Sequence, residues 1–225
     1  MIELAKRDIK SYVLRVGRLS KLQQRAVDTL SDQFCIPYDT KIINFEIIFG
    51  NTNPVIMEIG FGMGHATVEI AEKNIDKNYI ALEVHTPGVG KVLSEIEKRN
   101  LTNIRIIQYD AVQVIRNMVP LNTLEGVHIF FPDPWPKKKH HKRRLIQNSF
   151  IKELILLIKK GGYIYVATDW EDYAQQIISV LTEFDELVNP FEGFADRIKW
   201  RPDTAFEKKG LAKNHIIRDI WVEIK

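Results

Sequence analysis

The sequence predicts an α/β fold: a mostly parallel, doubly wound sheet with an antiparallel C-terminal strand, preceded by a basic N-terminal arm. Short apolar, strand-like runs alternate with helical runs between residues 55 and 184, and this alternation is typical of βαβ units. The last segment, 216–225, alternates apolar and polar residues and has no helix after it. We therefore expect it to pair antiparallel at or near one edge of the sheet.

The individual elements follow from hydrophobic spacing. Strands are expected at 55–60, 79–85, 104–110, 127–131 and 163–169. Helices are expected at 66–74, 90–100, 111–119, 145–162 and 170–184. The 145–162 helix is predicted to end at Gly161 and Gly162, because glycine is favoured where helices end.

Residues 1–50 are interpreted as a basic arm with a partial helix. Residues 51–225 are interpreted as a single α/β domain that contains the predicted sheet. The chain has 225 residues and 45% hydrophobic composition, enough for one sizeable core. Its single cysteine, Cys35, excludes a disulfide framework and a cysteine-based zinc site. The start lacks the apolar core of a signal peptide, and the apolar runs are too short to span a bilayer. A cytoplasmic protein with no membrane association is expected.

Acidic residues follow the successive predicted strands. They are Glu58, Glu83, Asp110, Asp133 and Asp169. Ligands of open α/β sheets bind at the carboxyl ends of the strands. One acid there is often only a helix cap, but an acid at each of five strand ends indicates a binding site.

A glycine loop, EIGFGMGHAT, follows the first strand and would bring Gly60, Gly62 and Gly64 close to a ligand. Its spacing is G-x-G-x-G and not the G-x-G-x-x-G of dinucleotide sites. Glu58, just before the glycines, would repel a pyrophosphate and suits a cofactor with a cationic group, such as S-adenosylmethionine. The alternative is an acid at a strand end that simply faces water.

Two further acids suit an adenosyl group. Glu83 lies about twenty residues after the glycine loop, where an acid accepts hydrogen bonds from ribose hydroxyls. Asp110 is placed to accept from an adenine amino group, although it could equally cap the helix that follows. Together with Glu58, these acids favour S-adenosylmethionine over NAD.

A dense basic run lies at 137–144. Net charge is +3, and this run alone carries six Lys and Arg residues, so the rest of the chain is net negative. Such a patch favours nucleic acid as a partner; the alternative is an ordinary solvated helix start. Adjacent histidines inside a cationic run suit no divalent cation, so no metal is expected.

Asp133 and Trp135 precede this run within the frame Pro132, Pro134 and Pro136, which restricts the backbone around them. Trp135 could stack on a base or pack into the core, and the sequence leaves both open. Cys35 lies away from the predicted strand ends, which disfavours chemistry at carbon 5 of a pyrimidine. Guanine N7 has a free lone pair and no proton to lose, so Asp133 could orient the base without acting as a proton acceptor.

The chain resembles the bacterial tRNA (guanine-N7-)-methyltransferase family over roughly residues 12 to 225. The motifs that carry the resemblance are EIGFGMG, ALEVHTPGVG, NIRIIQYDA, IFFPDPWPKKKHHKRRLIQ, ATDWEDYA and RPDTAFEKKG. The resemblance implies a Rossmann-like methyltransferase fold, S-adenosylmethionine as cofactor, and N7 of the guanine at position 46 in the tRNA variable loop as the methyl acceptor.

The resemblance also implies roles for individual residues. Asp133 is expected at the reacting centre, and the cofactor is expected at Glu58, Gly60, Gly62, Gly64, Glu83, Asp110 and Asp133. The expected substrate contacts are Lys137, Asp169, Thr204, Ala205, Phe206 and Glu207. The expected RNA contacts are Lys139, His140, His141, Lys142, Arg143 and Arg144.

Two other functions remain open from the sequence. Pro-Asp-Pro-Trp resembles the short motifs of methyltransferases that act on an exocyclic amine of guanine or adenine, although the usual second consecutive proline is absent. The second alternative is a non-catalytic RNA-binding protein with the same fold. A monomer and a homodimer are both compatible with the sequence.

Overall fold

The computed structural model describes residues 9–14, 17–204, 207 and 215–225, and their main feature is a seven-stranded sheet. The strands are β1 (Val55–Ile59), β2 (Asn78–Leu82), β3 (Ile104–Ile107), β4 (Leu124–Phe130), β5 (Ile158–Thr168), β6 (Leu187–Val188) and β7 (Arg218–Ile224). Their order is β3-β2-β1-β4-β5-β7-β6. Strands β1 to β5 pair in parallel, and β7 pairs antiparallel with β5. The predicted fold class is confirmed.

Helices cover both faces of the sheet. They are α1 (Lys21–Phe34), α2 (Phe45–Phe49), α3 (His65–Lys73), α4 (Thr86–Arg99), α5 (Ala111–Asn117), α6 (Asn148–Ile155) and α7 (Glu171–Leu181). Successive strand residues belong to opposite cores: Ile56 packs with α1, α3 and α4, and Met57 with α5, α6 and α7. This division follows from the two-residue period of a strand.

The predicted helix over 145–162 is wrong in its second half. Helix α6 ends at Ile155, and the chain re-enters the sheet as β5 at Ile158, opposite Leu124 of β4. Gly161 has a φ of +77°, and the register of β4 and β5 shifts beside it. The two glycines therefore mark an irregular strand start. The apolar spacing continued across the break because Ile158 is buried like the helix residues before it.

The arm contains more regular structure than the sequence indicated. Helix α1 begins with a capping box between Ser20 and Gln23 and runs for 14 residues. It docks on α4, where Gln23 Nε2 donates to the Pro87 carbonyl at 2.9 Å and Ala26 is fully buried. Cys35 makes an isolated bridge to Ile106 of β3. A domain boundary at residue 50 stays a prediction.

Candidate active site at the carboxyl ends of the strands

A cleft opens at the carboxyl ends of β1 to β4, where the sequence predicted a site. The loops after these four strands contribute Gly60, Gly62, Glu83, Tyr109 and Asp133 to its lining. The N-terminal segment contributes Ser11 and Tyr12, which the sequence analysis had not placed there. Two of the five predicted acids, Glu83 and Asp133, thus line one cavity, together with residues from the N-terminal segment.

The glycine loop is shaped by close packing against α4. Gly64 has a φ of +70°, and an added Cβ there would lie 2.0 Å from Cγ2 of Val92. An added Cβ at Gly88 of α4 would lie 2.0 Å from the carbonyl oxygen of Gly62. The loop and the start of α4 therefore approach each other closely, which leaves the cleft side of the loop as exposed backbone.

Glu58 is the most unusual acid of the site. Its side chain is buried, and its Oε2 has no hydrogen-bond partner among the described residues. Burial raises the pKa of the Glu58 carboxyl to about 7; the neighbouring Thr67 hydroxyl opposes this shift, and the charge of Glu83 adds to it. A buried carboxylate oxygen without a partner is costly unless something compensates it. A ligand with a cationic group would supply that compensation, so this residue fits S-adenosylmethionine.

Glu83 ties the ends of β1 and β2 together. Its Oε2 accepts a hydrogen bond from the Gly62 backbone N–H at 2.7 Å. Its Oε1 accepts from the N–H groups of Val84 at 2.7 Å and His85 at 3.0 Å. These three bonds hold the carboxylate rigidly beside the glycine loop, which is the position expected of a group that meets a ribose.

Asp110 is already engaged by other described residues. Its Oδ1 accepts from the Val112 N–H at 2.9 Å and so caps α5, as one of the two sequence interpretations held. Its Oδ2 lies 2.7 Å from the ammonium nitrogen of Lys10. The contact to an adenine stays a prediction, and Lys10 is an addition that the sequence had not indicated.

The loop after β4 is held in a strained backbone conformation. Phe131 and Trp135, on either side of the Pro132–Pro134 segment, have φ values of 52° and 46°. Residues with a Cβ avoid this left-handed region, and each such residue costs on the order of 1–3 kcal/mol unless the surroundings enforce it. The exposed Asp133 side chain lies between them at the cavity. Strain of this kind concentrates at functional sites.

Trp135 is half-buried, and its partners lie in the N-terminal segment and the basic run. Its indole N–H donates to the Ser11 carbonyl at 2.9 Å, and the Arg143 guanidinium lies 3.8 Å from the ring centre. Arg143 in turn donates to the carbonyls of Lys10 at 3.0 Å and Tyr12 at 2.9 Å. Trp135 and Arg143 together thus hold residues 10–12 over the cleft.

The basic run forms a 3₁₀ helix over Lys138–Arg143 beside the cleft. The side chains of Lys137, Lys139 and Lys142 are exposed and can reach a polyanion. His140 and His141 are half-buried. Arg144 is different: it is buried with an exposure of 2%, which argues against the expected RNA contact.

The segment after β5 places Asp169 next to His215, with 3.0 Å between Oδ2 and Nδ1. Sequence reasoning missed His215, since it lies outside every motif considered. Thr204 lines a hollow that also contains Glu58 and the glycine loop. Ala205 and Phe206, two of the expected substrate contacts, lie outside the described residues.

Glu207 differs from its expected role as a guanine contact. It is buried, and its carboxylate is paired with Arg201 at 2.6 Å and Arg197 at 2.7 Å. Its backbone N–H donates to Oγ1 of Thr204 at 3.0 Å and is therefore not available to a ligand. Both carboxylate oxygens are engaged, since Arg201 also approaches Oε1 at 3.2 Å. The geometry supports a structural role in which Glu207 links Thr204 to Arg197 and Arg201.

Across 9–14, 17–204, 207 and 215–225, no cluster of three or more His, Cys, Asp or Glu side chains is arranged to hold a metal ion. In the same part of the chain, none of the helices combines the length and apolar character needed to cross a membrane.

Solved structures that align with this chain include two methyltransferases. The 16S rRNA methyltransferase KamB aligns with a TM-score of 0.58 and 13% identity, covering 94% of this chain and 96% of that one. A geranyl diphosphate C-methyltransferase, solved with S-adenosyl-L-homocysteine, aligns with a TM-score of 0.53 and 10% identity, covering 79% and 72% of the two chains. At such identities the likeness concerns the fold alone. A family model described as "Putative methyltransferase" matches residues 52–220, so fold and sequence together define a methyltransferase.

Curated relatives narrow the class. Proteins named tRNA (guanine-N(7)-)-methyltransferase from Nitrosospira multiformis and Neisseria meningitidis serogroup B are 51% and 49% identical to this chain over 95% of its length, covering 93% and 90% of their own. The corresponding protein of Nitrosomonas eutropha is 49% identical over 94% of this chain and 95% of its own. The chain belongs to the tRNA (guanine-N7-)-methyltransferase family, which depends on S-adenosylmethionine.

Proposed function

We propose that this protein transfers a methyl group from S-adenosylmethionine to N7 of the guanine at position 46 in the variable loop of tRNA. The observation that carries the proposal is the buried carboxyl of Glu58, whose Oε2 has no partner among the described residues, in a protein whose loops at the carboxyl ends of the strands also carry an exposed basic run. The first suits a cationic cofactor and the second a polyanionic substrate.

The cofactor site in this proposal consists of the first three strand ends. The backbone of Gly60, Gly62 and Gly64 lies against the cofactor, and Glu58 compensates its positive charge. Glu83 accepts hydrogen bonds from the ribose, and Asp110 from the adenine amino group. When bound, S-adenosylmethionine supplies a methyl group activated by the sulfonium sulfur. The residues described here fit that group because they combine the backbone of the glycine loop with the buried carboxyl of Glu58, whose Oε2 has no partner among them.

Asp133 is the proposed residue of the reacting centre. Its carboxylate would accept hydrogen bonds from the N1 and N2 hydrogens of guanine, which turns N7 towards the cofactor and offsets the positive charge that forms on the ring. The N7 lone pair forms the new bond to carbon, and the bond from that carbon to sulfur breaks. No proton leaves N7, so this chain supplies alignment, which contributes up to about 7–11 kcal/mol in favourable cases.

The tRNA is proposed to lie along the basic run. Lys139, His140, His141, Lys142 and Arg143 would contact the backbone and set its position without reading the sequence. Lys137, which precedes this run, and Asp169, which follows β5, are proposed to contact the guanosine. Thr204, which lies near the glycine loop, is proposed to contact the substrate together with Ala205 and Phe206.

Every group used here comes from one chain, so the reaction is compatible with a monomer or a homodimer. We also infer a cytoplasmic location, because the proposed substrate is tRNA and the chain contains a single cysteine.

The direct test is incubation of the purified protein with unmodified tRNA and methyl-labelled S-adenosylmethionine, followed by nucleoside mapping. Label in N7-methylguanosine at position 46 is the expected result. Cleavage of the product by borohydride and aniline distinguishes N7-methylguanosine from a product methylated on an exocyclic amine. Label elsewhere, or no transfer, would overturn the proposal.

A further inference from the structure

Two adjacent arginines at the end of the basic run point in different directions. Arg143 is half-exposed and contacts the backbone of residues 10–12 and the ring of Trp135. Arg144 turns inwards and is buried, with an exposure of 2%. The sequence does not indicate this difference in burial, because both arginines belong to the same basic run.

The donors of Arg144 connect the loop after β4 to helix α7. Its Nε donates to the carbonyl of Pro134 at 2.8 Å, directly after Asp133. Its Nη1 donates to Gln176 Oε1 at 2.6 Å, and its Nη2 to Asp172 Oδ2. The guanidinium also lies 4.8 Å from the ring centre of Tyr173. Nη2 also lies 3.1 Å from His141 Nε2. The contacts of this one planar group thus fasten the loop to helix α7.

The loop needs such an attachment. Pro134 cannot donate a backbone hydrogen bond, and the chain on both sides of it is in the left-handed conformation at Phe131 and Trp135. A strained loop keeps one conformation only when its surroundings over-determine it. The bond from Arg144 reaches the carbonyl of Pro134, the residue directly after Asp133, from outside the strained segment.

Building on the function proposed above, we infer that Arg144 is a positioning residue: through the Pro134 carbonyl and its anchors on α7, it fixes Asp133 for methyl transfer and does not bind RNA. Asp172 and Gln176 hold the guanidinium in the orientation that reaches Pro134. The basic run therefore has two functions, with the exposed lysines facing the RNA and its last arginine facing the catalytic loop.

Two variants test this inference. Arg144→Lys keeps the positive charge but cannot reproduce three separately directed N–H groups. Asp172→Asn removes the charge that orients Arg144 while altering a side chain that is 64% exposed, so the fold should survive. Glu171→Gln is the matched control, since it removes the neighbouring acid in the same helical turn, and Glu171 pairs with Arg218 and not with Arg144.

The measurements are kcat and KM with tRNA, S-adenosylmethionine affinity by titration calorimetry, and the salt dependence of tRNA binding. We expect kcat to fall by about tenfold to 100-fold in Arg144→Lys, by less in Asp172→Asn, and hardly in Glu171→Gln. The slope of log affinity for tRNA against log salt concentration should stay unchanged. The affinity for S-adenosylmethionine should stay within about twofold of that of the starting protein.

Three results would overturn the inference. One is unchanged kcat in both variants. Another is an effect confined to a higher KM for tRNA with a weaker salt dependence of tRNA binding, which would identify Arg144 as a phosphate contact. Tighter tRNA binding together with faster turnover in Asp172→Asn would lead to the same conclusion, because Arg144 would then be freed from a competing carboxylate. The third is a loss of cofactor affinity in parallel with kcat, which would indicate general misfolding. Absence of transfer by the unaltered protein would instead contradict the proposed function itself.

Discussion

The loop after β1 and the loop after β4 both line the cleft, but they are held by different means. The first, around Gly60–Gly64, is shaped by glycines that let the backbone pack closely against α4. The second, Phe131–Trp135, lacks glycine and contains two residues with a Cβ in the left-handed region. It is held from outside the loop, by the Ser11 carbonyl, which accepts from Trp135, and by Arg144, which donates to the Pro134 carbonyl. A loop of the first kind depends on its own sequence, and a loop of the second kind depends on its neighbours.

The largest effect is expected at the tip of the second loop. Asp133→Ala should lower kcat for methyl transfer by roughly 100-fold or more, because it removes an electrostatic contact made to the reacting base. Cofactor affinity, which is proposed to depend mainly on the first loop, should change by only a modest factor. Steady-state kinetics and titration calorimetry measure the two separately. Near-normal turnover would remove Asp133 from the mechanism.

The first loop should respond to a single added methyl group. Gly64→Ala places a Cβ 2.0 Å from Val92, so we expect destabilisation of about 1–3 kcal/mol beyond the backbone strain, together with weak cofactor binding. Gly50→Ala is the control, since Gly50 has the same φ of +70° and open space around it. Thermal unfolding and calorimetry should separate the variants, and equal behaviour would show that packing against α4 is unimportant.

The pH dependence of cofactor binding should report on Glu58. Its pKa is raised from 4.5 to about 7 in the folded protein, so the ligand-free protein should lose stability as pH rises from about 4.5 to about 7, because the unfolded state gives up this proton first. A cationic ligand favours the ionised form, so S-adenosylmethionine affinity should rise with pH up to about 7 and binding should release a proton. Calorimetry in buffers of different ionisation enthalpy measures that proton.

Glu58→Gln provides the check on this pH dependence. The variant cannot ionise at this position, so its stability should lack the decline between about pH 4.5 and 7, and its cofactor binding should be weak with no linked proton release. If proton release persists in Glu58→Gln, another group is responsible.

The smallest effect is expected on the exposed part of the basic run. Lys139→Ala with Lys142→Ala should weaken tRNA binding modestly and reduce its salt slope by about one to two, with kcat little changed. Lys159→Ala with Lys160→Ala removes the same charge from exposed positions at the start of β5, away from the strand ends that form the cleft. Equal losses in both double variants would mean that the response depends on overall charge and not on this surface.

Much of the fold and part of the site could be predicted because they depend on local patterns. Periodicity located strands β1 to β5 and the antiparallel β7, and parallel connectivity then brought Glu58, Glu83, Asp110 and Asp133 to the same end of the sheet. The end of α6 was misjudged because a buried strand residue, Ile158, continued the apolar spacing of the helix.

The sequence by itself determined the α/β class, the glycine loop and the succession of acids, since each follows from neighbouring residues and the order of strands. Tertiary structure alone decided that Arg144 faces inwards to Asp172, that Glu207 is buried against Arg201, and that Lys10 reaches Asp110. The physical reason is that such partners lie close in space through packing that no local periodicity encodes. The sequence alone does not distinguish a charged side chain that is exposed to solvent from one that is buried and paired.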